Sequence, residues 1–347
     1  MIPQSTAQVD PFNLIKHTNL STQWRQQLKE AYRTPRQLLS ALGFSQDEQA
    51  QMVCDDHGFM TLVPQAYAQK MRPQDPNDPL LLQVLPQPKE AIEHPDFVQD
   101  PLQEADFNPT PGIVHKYKGR ALLIAAGHCA INCRYCFRRH YPYNEQKRGR
   151  NQWLESLDYI ARQEDVHEII LSGGDPLALT DAVLFDLIDA IEDIPHVKRL
   201  RIHSRLPIVL PQRITQSLCE RFHSSRLTCV MVVHANHANE LAEDVALACN
   251  MLSQHKVQLL NQSVVLANIN DNLASLKKLS ERLIEIGVIP YYLHIPDHVA
   301  GTTHFFVDLD TCQNLVAQMQ ASMPGYLVPK LVKEEPGKTS KTLYSRA

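Results

Sequence analysis

From about residue 113 onward, short apolar runs alternate with longer stretches whose apolar positions recur every three or four residues. The runs at 121–126, 168–171, 197–202, 227–233, 257–264 and 288–293 have the length and apolar character of buried strands. Helical periodicity is legible near 152–163, 180–192, 211–223, 239–254 and 272–286, and again at 310–322. Thr180-Asp181 reads as a helix cap, and Pro211 suits a first helical turn. From the second strand to the sixth the repeat is about 30 residues, one βαβ unit. Six strands alternating with six helices predict a parallel sheet with right-handed crossovers.

Two architectures satisfy that pattern: an open doubly wound sheet and an incomplete (β/α) barrel. The polar residues discriminate between them. His128 and three cysteines follow the first strand, and Ser172-Gly-Gly-Asp-Pro176 the second. His203-Ser204-Arg205 and His234-Ala-Asn236 follow the third and fourth. The fifth carries Asn261-Gln262-Ser263, and the sixth is followed by His294 and Asp297. Every strand thus ends in ligand-type residues. In a barrel these ends share one mouth; in an open sheet only those near the switch point share a site. The even distribution favours the barrel, over about 111–325.

Residues 1–110 differ in texture, being rich in Gln, Pro and Asp. Thr34-Pro35 reads as an N-cap followed by Pro at N1, ahead of a short helix stopped by Gly43. With Pro-rich stretches at 73–79 and 86–95, the whole of 1–110 reads as a helical N-terminal region and a linker wrapped on the barrel. The segment 326–347 has Gly, Pro and lysines in the manner of a frayed tail.

Composition narrows the function classes. The 347 residues are 44% hydrophobic and 21% charged, as in soluble globular proteins. No apolar run approaches the ~20 residues that span a bilayer. A net charge of −4 gives no electrostatic case for nucleic acid or an anionic membrane. The first residues show no basic segment followed by an apolar core, and eight cysteines without an export signal predict a reducing, cytoplasmic setting.

Three of those cysteines carry the chemistry. Cys129, Cys133 and Cys136 are spaced C-x3-C-x2-C, three thiols where a closed site needs four. A [4Fe–4S] cluster normally takes four thiolates, so three leave one iron open to a small molecule. Structural zinc, with His128 or His140 as fourth ligand, is the competing assignment. Cys54, Cys219, Cys229, Cys249 and Cys312 are scattered and read as small buried apolar residues.

Other residues acquire meaning beside that loop. In Ser172-Gly173-Gly174-Asp175 the glycines let backbone approach a ligand, and Asp175 suits an ammonium group. Arg138 can grip a carboxylate bidentately, whereas Arg139 reads equally well as part of a solvated basic patch. Lys116 and Arg120 can hold a phosphate. A tail lysine can form a Schiff base with pyridoxal phosphate.

Together the cysteine loop, Ser172-Gly-Gly-Asp175, Ser204-Arg205-Leu-Pro207, Leu210-Pro-Gln-Arg213, Tyr291-Tyr-Leu-His-Ile-Pro-Asp297 and Tyr326-Leu-Val-Pro329 resemble the radical S-adenosylmethionine lysine 2,3-aminomutases. The likeness is greatest to the short bacterial branch that supplies (R)-β-lysine for elongation factor P. The resemblance implies a partial (β/α)6 barrel with a helical N-terminal region and a C-terminal tail over the mouth. It implies that Cys129, Cys133 and Cys136 hold a [4Fe–4S] cluster whose open iron takes S-adenosylmethionine. Ser172, Gly173, Gly174, Asp175, Ser204 and Arg205 fall in segments that contact S-adenosylmethionine. Lys116 and Arg120 fall near the phosphate of pyridoxal 5′-phosphate, although Lys116 replaces an arginine. Arg138 falls at the substrate carboxylate, and Asp297 with Glu334 at the substrate ε-ammonium. Lys341 matches the pyridoxal lysine, with Lys338 as a competitor. Without the cofactor, the tail after Val332 is expected to be mobile. The implied substrate is L-lysine, and the implied partners are an electron donor such as flavodoxin or ferredoxin and the enzyme that lysylates elongation factor P.

Two rival functions stay in view. An aminomutase for another amino acid, such as glutamate, would share the cofactors. Two carboxylates at the far end of the pocket argue for a cationic side chain instead. A non-catalytic zinc-binding interaction module would need a fourth ligand and leaves the polar strand ends unexplained.

Overall fold

The computed structural model describes residues 20–54, 58–142 and 153–344. Nine strands form one sheet in chain order: β1 (Ile113–Tyr117), β2 (Arg120–Ala126), β3 (Glu168–Gly173), β4 (Arg199–Ser204), β5 (Thr228–His234), β6 (Gln258–Val264), β7 (Ile289–His294), β8 (Lys330–Lys333) and β9 (Thr342–Leu343). β2 to β8 are parallel, while β1 and β9 pair antiparallel at the two edges. A strand order that never reverses requires every crossover to turn the same way, so the helices collect on one face and the sheet curls. β1 and β9 are not paired with each other, and the barrel stays open.

The six strands expected from the apolar runs are β2 to β7. Three others were not. β1 is the first arm of a hairpin that turns at Gly119, where φ is +77°. β8 is a seventh parallel strand, added beside β7, and β9 folds back on it. Residues 330–333 and 342–343 are therefore part of the sheet, where composition alone read as a frayed tail. Four residues of β8 and two of β9 are too short for their pattern to register in sequence.

The helices begin where their caps direct. Thr180, Thr215, Asn272 and Asp308 accept hydrogen bonds from Val183, Leu218, Ser275 and Thr311 backbone N–H groups, opening helices Asp181–Glu192, Gln216–Ser224, Leu273–Glu285 and Leu309–Ser322. Each such cap stabilises by about 1 kcal/mol. Pro211 does not open its helix. It begins the single 3-10 turn Pro211–Arg213, and the α-helix waits for the Thr215 cap.

The N-terminal region packs its apolar residues against the barrel. Trp24, Leu38, Leu39, Tyr67, Leu80 and Leu81 are buried in the same apolar cluster as Ile169, Leu200, Met231 and Leu252 of the barrel. Thr34 caps helix Pro35–Ala41, as its sequence predicts, accepting from Gln37 N–H at 3.2 Å. Lys70 ties the region to the barrel through the Ile208 carbonyl (3.0 Å) and Asp244 (3.3 Å). From there the chain runs to the barrel mouth, where it meets the cysteine loop.

Candidate active site

The C-terminal ends of the strands enclose a cavity of about 630 Å³. The cysteine loop leaves β2 across its rim and is held from both sides. On the outer side, Asn132 N–H donates to the Leu62 carbonyl (3.0 Å) and Arg134 N–H to the Gln83 carbonyl (2.8 Å). Beneath it, Glu90 forms a fully buried ion pair with Arg134 (2.5 Å) and a second with Arg139 (2.8 Å). Arg139 is thus locked in the interior, not part of a solvated patch. On the inner side, the β3 end supports the loop through Gly174 N–H to Ala126 O (2.8 Å) and Asp175 N–H to His128 O (2.9 Å).

The two glycines owe their place to this contact. A Cβ on Gly174 would lie 2.4 Å from the His128 oxygen, and one on Gly173, where φ is +106°, 2.7 Å from the Ala126 oxygen. They let β3 pass directly under the cysteine loop, where the sequence pointed to ligand approach. Asp175 differs from expectation in the same direction. Its carboxylate accepts from Leu177 N–H (3.0 Å), Ser204 Oγ (2.7 Å), Arg205 N–H (2.8 Å) and Leu206 N–H (3.2 Å). Those bonds tie the β3 end to the β4 end and occupy the acceptor that sequence reasoning offered to an ammonium group.

Arg205 reaches back to the cluster loop. Its Nη1 lies on Cys133 Sγ, and its Nη2 contacts Gln83 (2.7 Å), Glu240 (3.0 Å) and the Tyr67 hydroxyl (3.2 Å). Burial holds the Cys129 thiol well above its ordinary range, and burial with Cys133 nearby pushes Cys136 up to about 11. His234 on β5 stacks on Tyr135 and meets its hydroxyl at 3.1 Å. Burial and the Arg205 charge bring His234 down to about 3, so its imidazole is neutral.

The opposite wall is charged. Just past β8, Glu334 is paired with Lys341 (2.6 Å) and Lys116 (3.1 Å). Burial alone would raise its pKa; the two ammonium groups reverse that and bring it to about 2. Asp297, beyond β7, is pushed up to about 7 by burial, with Lys341 pulling the other way. The strand β9 turns Lys341 into the cavity, while Lys338 lies exposed on the turn before it. Lys116 was expected at a phosphate, but here its ammonium is held by Glu334 and the Leu102 carbonyl (3.1 Å). Arg120 stacks on Tyr117 at the same rim. Arg138 is gripped by Glu104, at 2.8 and 2.7 Å, and donates to Ser172 Oγ at 3.1 Å.

The chain matches the Radical SAM superfamily over residues 123–272. It is 44% identical over 322 residues to L-lysine 2,3-aminomutase of Haemophilus influenzae, covering 93% of this chain and 95% of that one. It is 44% identical over 320 residues to L-lysine 2,3-aminomutase of Escherichia coli, covering 92% and 93%. The chain belongs to the lysine 2,3-aminomutase family. Among solved structures, a radical SAM methyltransferase from Sphaerobacter thermophilus overlaps with TM-score 0.44 and 12% identity, over 64% of this chain and 68% of that one.

Membership of the lysine 2,3-aminomutase family implies a [4Fe–4S] cluster, S-adenosylmethionine and pyridoxal phosphate. The residues fit these groups. Three unbridged thiols share one wall, with a guanidinium at Cys133 to offset anionic charge. His140, a possible fourth zinc ligand, instead meets the Ala300 carbonyl at 3.0 Å. On the charged wall, His203 and His294 each carry a buried Nε2 without a hydrogen-bond partner among the described residues, polar atoms suited to a polar cofactor beside Lys341.

All fifteen residues assigned a site role from sequence line this cavity. Glu104, Glu90, Gln83, Tyr67 and Glu240 went unassigned. Four of them lie in the N-terminal region, where an acidic or amide residue among prolines looks like any solvated position. Asn261 and Ser263 turn away from the mouth to hold the Ala235 backbone, while Gln262 faces the cavity, as strand alternation requires.

Proposed function

We propose that this protein converts L-α-lysine to (R)-β-lysine by 2,3-amino migration, and that the product serves modification of elongation factor P. The observation that carries this is one cavity with three thiols on one wall and Lys341, Glu334 and Asp297 on the other. When bound, the implied groups supply radical initiation at the cluster and electron delocalisation at the pyridoxal ring. The chain supplies the rest. Cys129, Cys133 and Cys136 anchor the cluster, and Arg205 offsets its charge. Lys341 is the pyridoxal attachment point; Lys338 faces solvent, which favours 341. Arg138 receives the substrate α-carboxylate. Glu334 and Asp297 receive the ε-ammonium, which suits the ionised state of Glu334 and disfavours an anionic substrate. Holding both charged ends fixes Cα and Cβ between the two walls, the positioning that such a reaction needs. The apolar residues around the cysteine loop exclude water from that gap.

The test is anaerobic incubation with L-lysine, S-adenosylmethionine, pyridoxal phosphate and a reductant, with chiral analysis of the product. (R)-β-lysine is expected. Its absence while the cluster spectrum is intact overturns the proposal, and turnover of glutamate instead would favour the rival aminomutase. For the downstream role, deleting the gene should leave elongation factor P without its β-lysyl mass.

A further inference from the structure

Residues 102–107 belong to the stretch that sequence reasoning treated as a linker, yet they touch the charged groups at both ends of the cavity. Glu104 opens the 3-10 turn Glu104–Phe107 and is 5% exposed. Its carboxylate takes Arg138 along one edge, Nε to Oε2 at 2.8 Å and Nη2 to Oε1 at 2.7 Å. The remaining terminal nitrogen, Nη1, is turned to Ser172 on the cavity wall. Two residues earlier, the Leu102 carbonyl accepts from Lys116, whose ammonium also holds Glu334. The Phe107 ring lies 5.2 Å from the same ammonium. One strap therefore orders a guanidinium at one end and a carboxylate at the other.

We propose that Glu104 is a positioning residue for recognition of the substrate α-carboxylate: it clamps Arg138 by the Nε–Nη2 edge and presents the Nη1 end to the cavity. This rests on the assignment of Arg138 to that carboxylate. A bidentate clamp fixes the plane of the guanidinium as well as its place. An arginine ordered beforehand loses less freedom when substrate arrives, which is affinity gained without a new contact. Glu104 is itself ordered, since its N–H donates to Asp100 at 3.2 Å. Burial would raise its pKa, but Arg138 and then Lys116 outweigh that, so it stays ionised. The strap also fixes how far the carboxylate site lies from Glu334, so it bears on the substrate length accepted.

The experiment uses the full chain reconstituted with its cofactors. Binding of L-lysine and of L-lysinamide, which lacks the carboxylate, is followed by the absorbance change of bound pyridoxal phosphate. Turnover of lysine is measured alongside. In Glu104→Gln the dissociation constant and KM for lysine should rise about 10–100-fold, as for loss of one partner of a buried charge pair. The preference for lysine over lysinamide should fall by a similar factor. The cluster spectrum should not change, and kcat should stay within about threefold. Glu104→Asp should restore part of the preference, and serves in place of the Gln variant if that does not fold. An unchanged lysine affinity overturns the proposal, as does a tighter one, which would make Glu104 a competitor of the substrate. Loss of cluster or of kcat at constant KM also overturns it, by making the role structural. Arg138→Met separates the two assignments. If it keeps the lysine preference, Arg138 is not the carboxylate site. If it loses the preference while Glu104→Gln keeps it, only the role of Glu104 falls.

Discussion

The two walls of the cavity are built on different principles. The cysteine wall is held by backbone bonds and by ion pairs buried beneath the loop. Gly173 and Gly174 pass under the loop, Asp175 bonds three backbone N–H groups, and Glu90 locks Arg134 and Arg139 in the interior. The tail wall is held by ion pairs among Glu334, Lys116 and Lys341, with Asp297 beside them. Backbone bonds in a packed turn have one good arrangement; ion pairs lining a cavity can exchange partners. The first wall suits a cluster held in one geometry, and the second suits charges that re-pair when a cationic substrate arrives.

Breaking the cysteine wall should have the largest effect. Cys133→Ala is expected to remove the brown cluster absorbance and lower activity by more than about 10³-fold, since the remaining thiols do not make a cluster site. Retention of full iron would show that this wall does not hold the metal. Lys341→Ala should cost about as much, because it removes the covalent attachment point. It should abolish the imine absorbance of bound pyridoxal phosphate while leaving iron content unchanged. Lys338→Ala should do neither, and the reverse pattern would exchange the two assignments.

Smaller changes sharpen the contrast. Converting Asp297 to Asn and Glu334 to Gln together should raise KM for lysine about 10–100-fold with little change in iron, as for loss of buried charge partners. Gly174→Ala tests the other principle. Its Cβ must displace the His128 carbonyl, so a stability loss of about 1–3 kcal/mol is expected, read as a lower Tm and less iron per chain. An unaltered protein would show that the close approach is not required.

The smallest expected effect is a pH dependence confined to the tail wall. Asp297 titrates at about 7 and Glu334 at about 2. Above pH 7 both are ionised and attract a cation; as the pH falls through 7, Asp297 gains a proton and that attraction weakens. KM for lysine should therefore rise by no more than about tenfold between pH ~8 and pH ~6. Asp297→Asn should flatten the profile, and a profile that survives the substitution would assign it to another group.

Periodicity and caps were enough to place β2 to β7, because each strand is buried by its own neighbours and each helix starts at a local signal. The cysteine spacing and the tail motif were likewise legible, since each is a short contiguous string. What sequence could not show was the partner of each charge. Asp175 read as a ligand acceptor because nothing local says that Ser204, Arg205 and Leu206 return to it. Lys116 read as free to hold a phosphate because Glu334, 218 positions away, carries no sign of pairing with it.

By itself, then, the sequence determined the winding of the barrel, the three-thiol loop and the family, all properties of local pattern and chemistry. Only the tertiary structure decided that the glycines serve the loop, that Lys341 and not Lys338 enters the cavity, and that Glu104 holds Arg138. Those outcomes depend on contacts between segments remote in the chain, and a buried charge takes its meaning from whichever opposite charge the fold brings to it.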